Sequence, residues 1–225
     1  MQDYKLLVEA LMLGTGPYAT PIPPDGEDVV RGWPAGTTVR IRISNTVTAQ
    51  QRRGLENVAA QLAQAGAPFR ATLEVMNSNE AYFARNELQV VTLQNACGTS
   101  LGCVMLADTT LRQDQASKLW GNTWIYLGPA GTGGDDSNVA AHEMGHALFG
   151  LNHVWYEQVP EFTAVPGWRF GTADFPFVTM YNGVLAPGQI DKLSSVEMQV
   201  VQDVFRAGIS AGSRRADLRA RGLIH

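Results

Sequence analysis

The stretch "AAHEMGHALFGLNHV", residues 140–154, carries three of the chain's four histidines. His142, Glu143 and His146 form an H-E-x-x-H pattern, and Gly150 and His153 follow it. On a helix, residues four apart are rotated by about 40° and separated by about 6 Å of rise. The imidazoles of His142 and His146 can therefore converge on one ion, with nitrogens about 2.0–2.1 Å from zinc. Glu143 points beside that ion, as a base acting on zinc-bound water must. On an uninterrupted helix His153 would lie about 10 Å beyond His146, too far for a shared ion. The chain must stop and turn back, and Gly150 can adopt the positive φ this requires. The expected metal ligands are His142, His146 and His153, with Glu143 as the catalytic residue. Asn152 is the alternative third ligand, but imidazole is the better zinc donor.

Composition sets the frame for this motif. At 225 residues, 45% hydrophobic, the chain is long enough for one large domain with a real core. Charged residues make up 17% and the net charge is −4, so neither a nucleic-acid nor a membrane-surface partner is expected. No apolar run is long enough to span a bilayer. The apolar stretch "YKLLVEALMLGTG" (4–16) is interrupted by Glu9 and lacks a small-residue cleavage site, so it reads as an early strand or a packed N-terminal arm. The signal of an exported protein would lie outside this sequence.

Residues 17–34 carry five prolines and read as irregular surface chain. "TTVRIRIS" (37–44) alternates Val39, Ile41 and Ile43 with polar residues, as a half-buried strand does. A helix is expected from Ala49 to Ala65, with Thr48 and Gln51 as its capping box and Gly66 as its left-handed stop. Strands are expected at "FRATLEV" from Phe69, "LQVVTLQ" from Leu88, "CVMLADT" from Cys103 and "TWIYLG" from Thr123. Asp136 or Ser137 should cap the histidine helix. Residues 154–177 show no regular period, and a loop this long is usually functional. A last helix, "LSSVEMQVVQDVFRAG", has Ser194 and Glu197 as its capping box and Gly208 as its stop. The arginine-rich tail from Ala211 reads as frayed or tag-like. This order of elements is α+β, or three-layer α/β/α-like.

"HEMGHALFGLNH" resembles the zinc helix of the metzincin clan of endopeptidases, most closely the matrixin-like branch, with one residue inserted before the glycine. "FVTMYNG" (177–183) resembles the Met-turn that follows in that clan. The resemblance implies that Met180 forms a hydrophobic floor under the metal and that Tyr181 shapes the pocket beside the scissile bond. Astacins and serralysins place a metal-reaching tyrosine two positions after the methionine, where this chain has Asn182. The likeness spans roughly Thr37 to Gly208. It implies a twisted, mostly parallel five-stranded sheet with an antiparallel edge strand, a backing helix, an active-site helix and a C-terminal helix. "CVMLADT" falls at the edge position, which makes the backbones of Met105, Leu106 and Ala107 candidates for gripping an extended peptide.

The implied domain plan is an N-terminal arm (1–36), a catalytic domain (37–208, upper part 37–150, lower part 151–208) and a tail (209–225). The segment between His153 and Met180 is longer than in compact matrixins, and it reads as either a specificity wall or a lid. No cysteine precedes the catalytic region, so a cysteine-switch propeptide is not expected within these residues. Asp108, Asp135 and Asp136 are candidate calcium ligands of the kind matrixins carry, or else turn formers and helix caps. Cys97 and Cys103 flank a glycine-rich spacer. They are either a disulfide, as the exported-hydrolase character favours, or two buried thiols.

The expected activity is zinc-dependent peptide-bond hydrolysis by a monomeric protein acting on extended protein or peptide substrate. The expected location is secreted, periplasmic or cell-surface. The alternatives are a zinc amidase acting on cell-wall or other non-protein amides, and a non-catalytic zincin-fold binding module.

Overall fold

In the central sheet, side chains alternate faces along each strand, and the first strand shows what this does. In a computed structural model of the chain, β1 (Thr38–Ser44) buries Val39, Ile41 and Ile43 completely and turns Arg40 and Arg42 to the other face. The structure describes residues 2–19, 28–82, 84–98, 101–106, 119–132, 136–154, 180 and 191–225. β1 pairs in parallel with β2 (Arg70–Met76) on one side and β3 (Glu87–Thr92) on the other. β3 in turn pairs in parallel with β5 (Asn122–Leu127), and β4 (Gly102–Leu106) runs antiparallel along β5. The order is β2-β1-β3-β5-β4, so the five-stranded, mostly parallel sheet ends in an antiparallel edge strand, as expected. The fold is mixed α/β.

The buried face of the sheet is covered by helices. α2 (Ala49–Ala65) begins with the reciprocal Thr48–Gln51 capping box and ends at Gly66 with φ 66°. It packs closely against α3 (Ser137–Phe149), the histidine helix, and a Cβ on Gly54 would lie 2.3 Å from the carbonyl oxygen of Ser137. α4 (Ser195–Arg206) carries the Ser194–Glu197 capping box. It joins α2 through Gln61, whose side chain exchanges two hydrogen bonds of 2.9 Å with the backbone of Leu193. The opposite face of the sheet is mixed, with Arg40, Arg42, Glu87 and Gln89 beside Trp124 and Tyr126. There the buried Glu87 lies between Arg40 and Arg42, and the Arg42 guanidinium sits 5.3 Å from the Tyr82 ring centroid.

Two sequence expectations are corrected. The N-terminal stretch is not a strand: Gln2–Leu13 is a helix, α1, that packs into the core and buries Leu7, Val8, Leu11 and Met12. Its leucines, methionine and alanine are good helix formers, and their spacing of three and four suits one buried helical stripe. Nor is the C-terminal tail frayed. It forms α5 (Arg215–Ala220), buries Leu218 and Ile224, and ties Arg215 to Glu9, Asp28 and Thr15. The arginines read as a solvated run, but one of them pairs with carboxylates near the other end of the chain. Among the described residues, no helix is long and apolar enough to cross a membrane.

Glycine in a helix interior is normally worse than alanine by about 0.5–1 kcal/mol. At Gly54 the sign should reverse, because the contact is with a backbone carbonyl that cannot swing away. Gly54→Ala is expected to cost roughly 1–3 kcal/mol, read as a lower midpoint of urea unfolding. An unchanged or higher midpoint would refute the close crossing of α2 and α3.

Candidate metal centre

Asp136 caps α3 by accepting from the Asn138 N–H at 2.8 Å, the role that competed with calcium ligation in the sequence. The helix then runs through the motif with Ala140, Ala141, Ala147 and Leu148 fully buried. It continues to Phe149, the position where the unexpanded motif would place its glycine. Gly150 ends it with φ 71° and ψ 18°. A side chain is excluded there twice over, since a Cβ would also lie 2.4 Å from the carbonyl oxygen of Arg31. The inserted residue is thus absorbed as one more helical position.

The turn brings His153 back to its helical partners. The Nε2 atoms lie 2.9 Å apart for His142 and His153, 3.1 Å for His142 and His146, and 3.0 Å for His146 and His153. These three are the group of metal-capable side chains found among the described residues. His146 Nδ1 lies 2.6 Å from the Leu151 carbonyl oxygen. A carbonyl only accepts, so Nδ1 carries the proton and Nε2 presents its lone pair to the cluster. Burial holds His146 well below the usual imidazole range, with the neighbouring histidines adding to the effect. Burial and His142 push His153 down to about 3. Neutral imidazole is the form that binds metal. Nitrogen donors 3 Å apart form the triangle that one small cation would hold together, within a few tenths of an ångström of the spacing set by zinc–nitrogen bonds of about 2.0–2.1 Å.

Asn152 is turned to other work. Its backbone N–H and side-chain amide both donate to the Leu11 carbonyl, at 2.8 and 3.1 Å, tying the turn to α1. Glu143 is only 6% exposed, and burial pushes its carboxyl up to about 8. It lies under the start of the edge strand: a Cβ on Gly102 would come 3.0 Å from Glu143 Cγ and 3.2 Å from its Oε1. Met105 of that strand is exposed, and Cys103 is bonded to Cys97 with Cα atoms 5.7 Å apart. Of the other substrate-contact candidates, Leu106 is described through its backbone in β4. Ala107, Tyr181, Asp108, Asp135 and the loop 155–179 lie outside the described residues.

Met180 is fully buried beneath the histidine helix, its sulfur 2.5 Å from where a Cβ on Gly145 would stand. Its N–H donates to Glu197 Oε1 at 2.7 Å, and its carbonyl accepts from the Val154 N–H at 3.0 Å. The other oxygen of Glu197 takes the N–H and hydroxyl of Ser194 at 2.8 and 2.7 Å. Sequence reasoning assigned Glu197 only the capping role. Nothing in the local pattern announces that its second oxygen holds a backbone 17 residues upstream. Arg31 and Trp120 were also missed, although both line the cavity of about 350 Å³ that contains Glu143, His146 and His153.

Fold and site together define a mixed α/β protein with a half-buried three-histidine centre beside an antiparallel sheet edge. No protein-family model matches the chain, and no curated protein matches it. Among solved structures, one of myroilysin is similar at 16% identity and a TM-score of 0.37, covering 79% of this chain and 97% of that one. A likeness at that level does not bear on function.

Metal titration of the purified protein should find one tight zinc site. His153→Ala should weaken it by more than the roughly 10–100-fold that follows loss of an outer hydrogen-bond partner. Asn152→Ala should leave zinc binding near wild type, and the reverse ranking would overturn the ligand assignment. Glu197→Ala strands buried donors and should cost about 1–3 kcal/mol in thermal or urea unfolding.

Proposed function

We propose that the chain is a zinc-dependent endopeptidase of the metzincin kind, matrixin-like in its Met-turn, with residues 37–208 as its catalytic domain. The observation that carries this reading is the convergence of three imidazole nitrogens beside a buried carboxylate, under a sheet edge that is unpaired among the described residues. His142, His146 and His153 would hold the zinc. When bound, zinc supplies Lewis-acid polarisation.

The remaining roles fall to the protein's own groups. Glu143 takes a proton from the attacking water and delivers it to the leaving amine nitrogen. Its buried setting favours proton uptake, and the backbone of β4 fixes where the carboxylate can lie. Extended substrate pairs with the outer edge of β4 through the backbones of Met105, Leu106 and Ala107. Exposed edges are ordinarily protected, so one left unpaired among the described residues beside a buried carboxylate suits strand addition. Met180 forms the floor under the histidine helix, and Tyr181 borders the scissile bond. The Cys97–Cys103 disulfide fits a protein acting outside the reducing cytosol.

Zinc-loaded wild-type protein should cleave casein or a peptide library, lose activity to a chelator and regain it with zinc. Glu143→Gln should retain zinc while peptide hydrolysis falls by about 10²-fold or more. Full activity in that variant would remove Glu143 from the mechanism. Hydrolysis confined to non-peptide amides would replace the endopeptidase reading with an amidase.

A further inference from the structure

At the far end of the sheet from β4, β2 is paired only with β1 among the described residues. The Arg70 N–H donates to the Thr37 carbonyl at 2.9 Å, and the Met76 carbonyl accepts from the Asn45 N–H at 3.1 Å. Backbone groups alternate in direction along a strand, so those of residues 70, 72, 74 and 76 face β1. Those of Ala71, Leu73 and Val75 face outward, as an edge template for another strand. Native edges are usually blunted by proline, lysine, a bulge or a short strand. β2 runs for seven residues, "RATLEVM", without proline, glycine or lysine and in unbroken register with β1. Leu73 is 38% exposed and Val75 45% exposed. They lie on the face of Ile41 and Ile43, whereas Arg70, Thr72 and Glu74 lie on the face of Arg40 and Arg42.

This edge complements itself. A two-fold axis at Thr72 sets two copies antiparallel, with Ala71 opposite Leu73, Arg70 opposite Glu74 and Thr72 opposite its own copy. The first two contacts are each made twice. Ala71 and Leu73 then exchange backbone hydrogen bonds, as their outward-facing groups require. Arg70, Thr72 and Glu74 fall at the close, non-hydrogen-bonded positions, where cross-strand side chains approach most nearly. Other registers that keep the outward groups matched lose the charge pairing. An axis at Ala71 sets Arg70 against Thr72, one at Leu73 sets Glu74 against Thr72, and one at Glu74 opposes two carboxylates. Arg70 is exposed. The Glu74 side chain is 49% exposed while meeting Arg42 at 2.6 Å, and a carboxylate has lone pairs for a second arginine.

We propose that β2 is a homodimer interface, joining two copies of this chain into one continuous sheet by antiparallel β2–β2 pairing about Thr72. β2 and β4 are opposite edges of the sheet, so the β4 edges of both copies stay at the outer ends of the joined sheet. The pairing is independent of the zinc chemistry, and it departs from the monomer expected of the sequence.

Sedimentation velocity of the full chain across a concentration series should show a monomer–dimer equilibrium. Arg70→Glu and Glu74→Arg should each raise the dissociation constant about tenfold or more, because two like-charge contacts replace two attractive ones. Mixed in equal amounts, the two variants should regain dimerisation as a heterodimer, since every glutamate then meets an arginine. Thr72→Cys should form a covalent dimer with a mild thiol oxidant such as diamide. Opposed residues at a non-hydrogen-bonded position have Cα atoms about 4.5 Å apart, within disulfide reach. Leu73→Cys, which faces Ala71, should cross-link far less, and the native cysteines are already joined to each other. Zinc binding near wild type in all four variants checks that they fold. A wild type that stays monomeric at every concentration, or mixed variants that do not associate, would overturn the interface. Equal cross-linking from Leu73→Cys would overturn the pairing about Thr72. A monomeric wild type whose unfolding midpoint falls with Arg70→Glu would place another segment of the same chain on this edge, and the dimer would again be refuted.

Discussion

Three imidazole nitrogens within about 3 Å of one another set the geometry of everything around them. Two come from one face of α3, and the third is reached only if the helix ends abruptly and the chain doubles back. Gly150 meets that demand through its left-handed conformation and through its lack of a side chain where the Arg31 backbone crosses. The turn is then locked by backbone and side-chain hydrogen bonds from Asn152 to α1 and by the Leu151 carbonyl on His146. The same carbonyl that shapes the turn selects the tautomer that makes His146 a donor.

Support from below comes from a different part of the chain. Met180 packs under Gly145 because Glu197 holds its backbone with one carboxylate oxygen while capping α4 with the other. A buried carboxylate is costly unless its lone pairs are occupied, and here backbone N–H groups and a hydroxyl occupy them. The glycine at 145 is what lets the thioether approach the helix so closely. Cap, methionine and histidine helix therefore form one packed unit rather than separate features.

Above the helix, the sheet contributes its antiparallel edge. Three parallel pairings bury the middle of the sheet, and β4 closes the order while leaving its outer side unpaired among the described residues. Gly102 allows that strand to lie directly over Glu143. The disulfide at Cys103 anchors the strand where it meets the cavity. Burial of Glu143 raises its proton affinity.

Local rules made much of this legible. Alternation along β1, the Thr48–Gln51 and Ser194–Glu197 capping boxes, and the glycine stops at Gly66 and Gly150 all depend on residues within a few positions of one another. Periodicity and turn chemistry report such neighbours directly. The histidine spacing belongs to the same class, and it determined both the convergence of His142 with His146 and the need for a break before His153. Tertiary structure alone decided where the amphipathic termini went: α1 and α5 are held by pairing Arg215 with Glu9 and Asp28, across nearly the whole chain. It also decided that Asn152 serves α1, that Glu197 reaches Met180, and that Arg31 and Trp120 share a wall with the histidines. Those contacts join segments far apart in sequence, and their selection rests on packing and charge pairing in three dimensions, which no local pattern encodes.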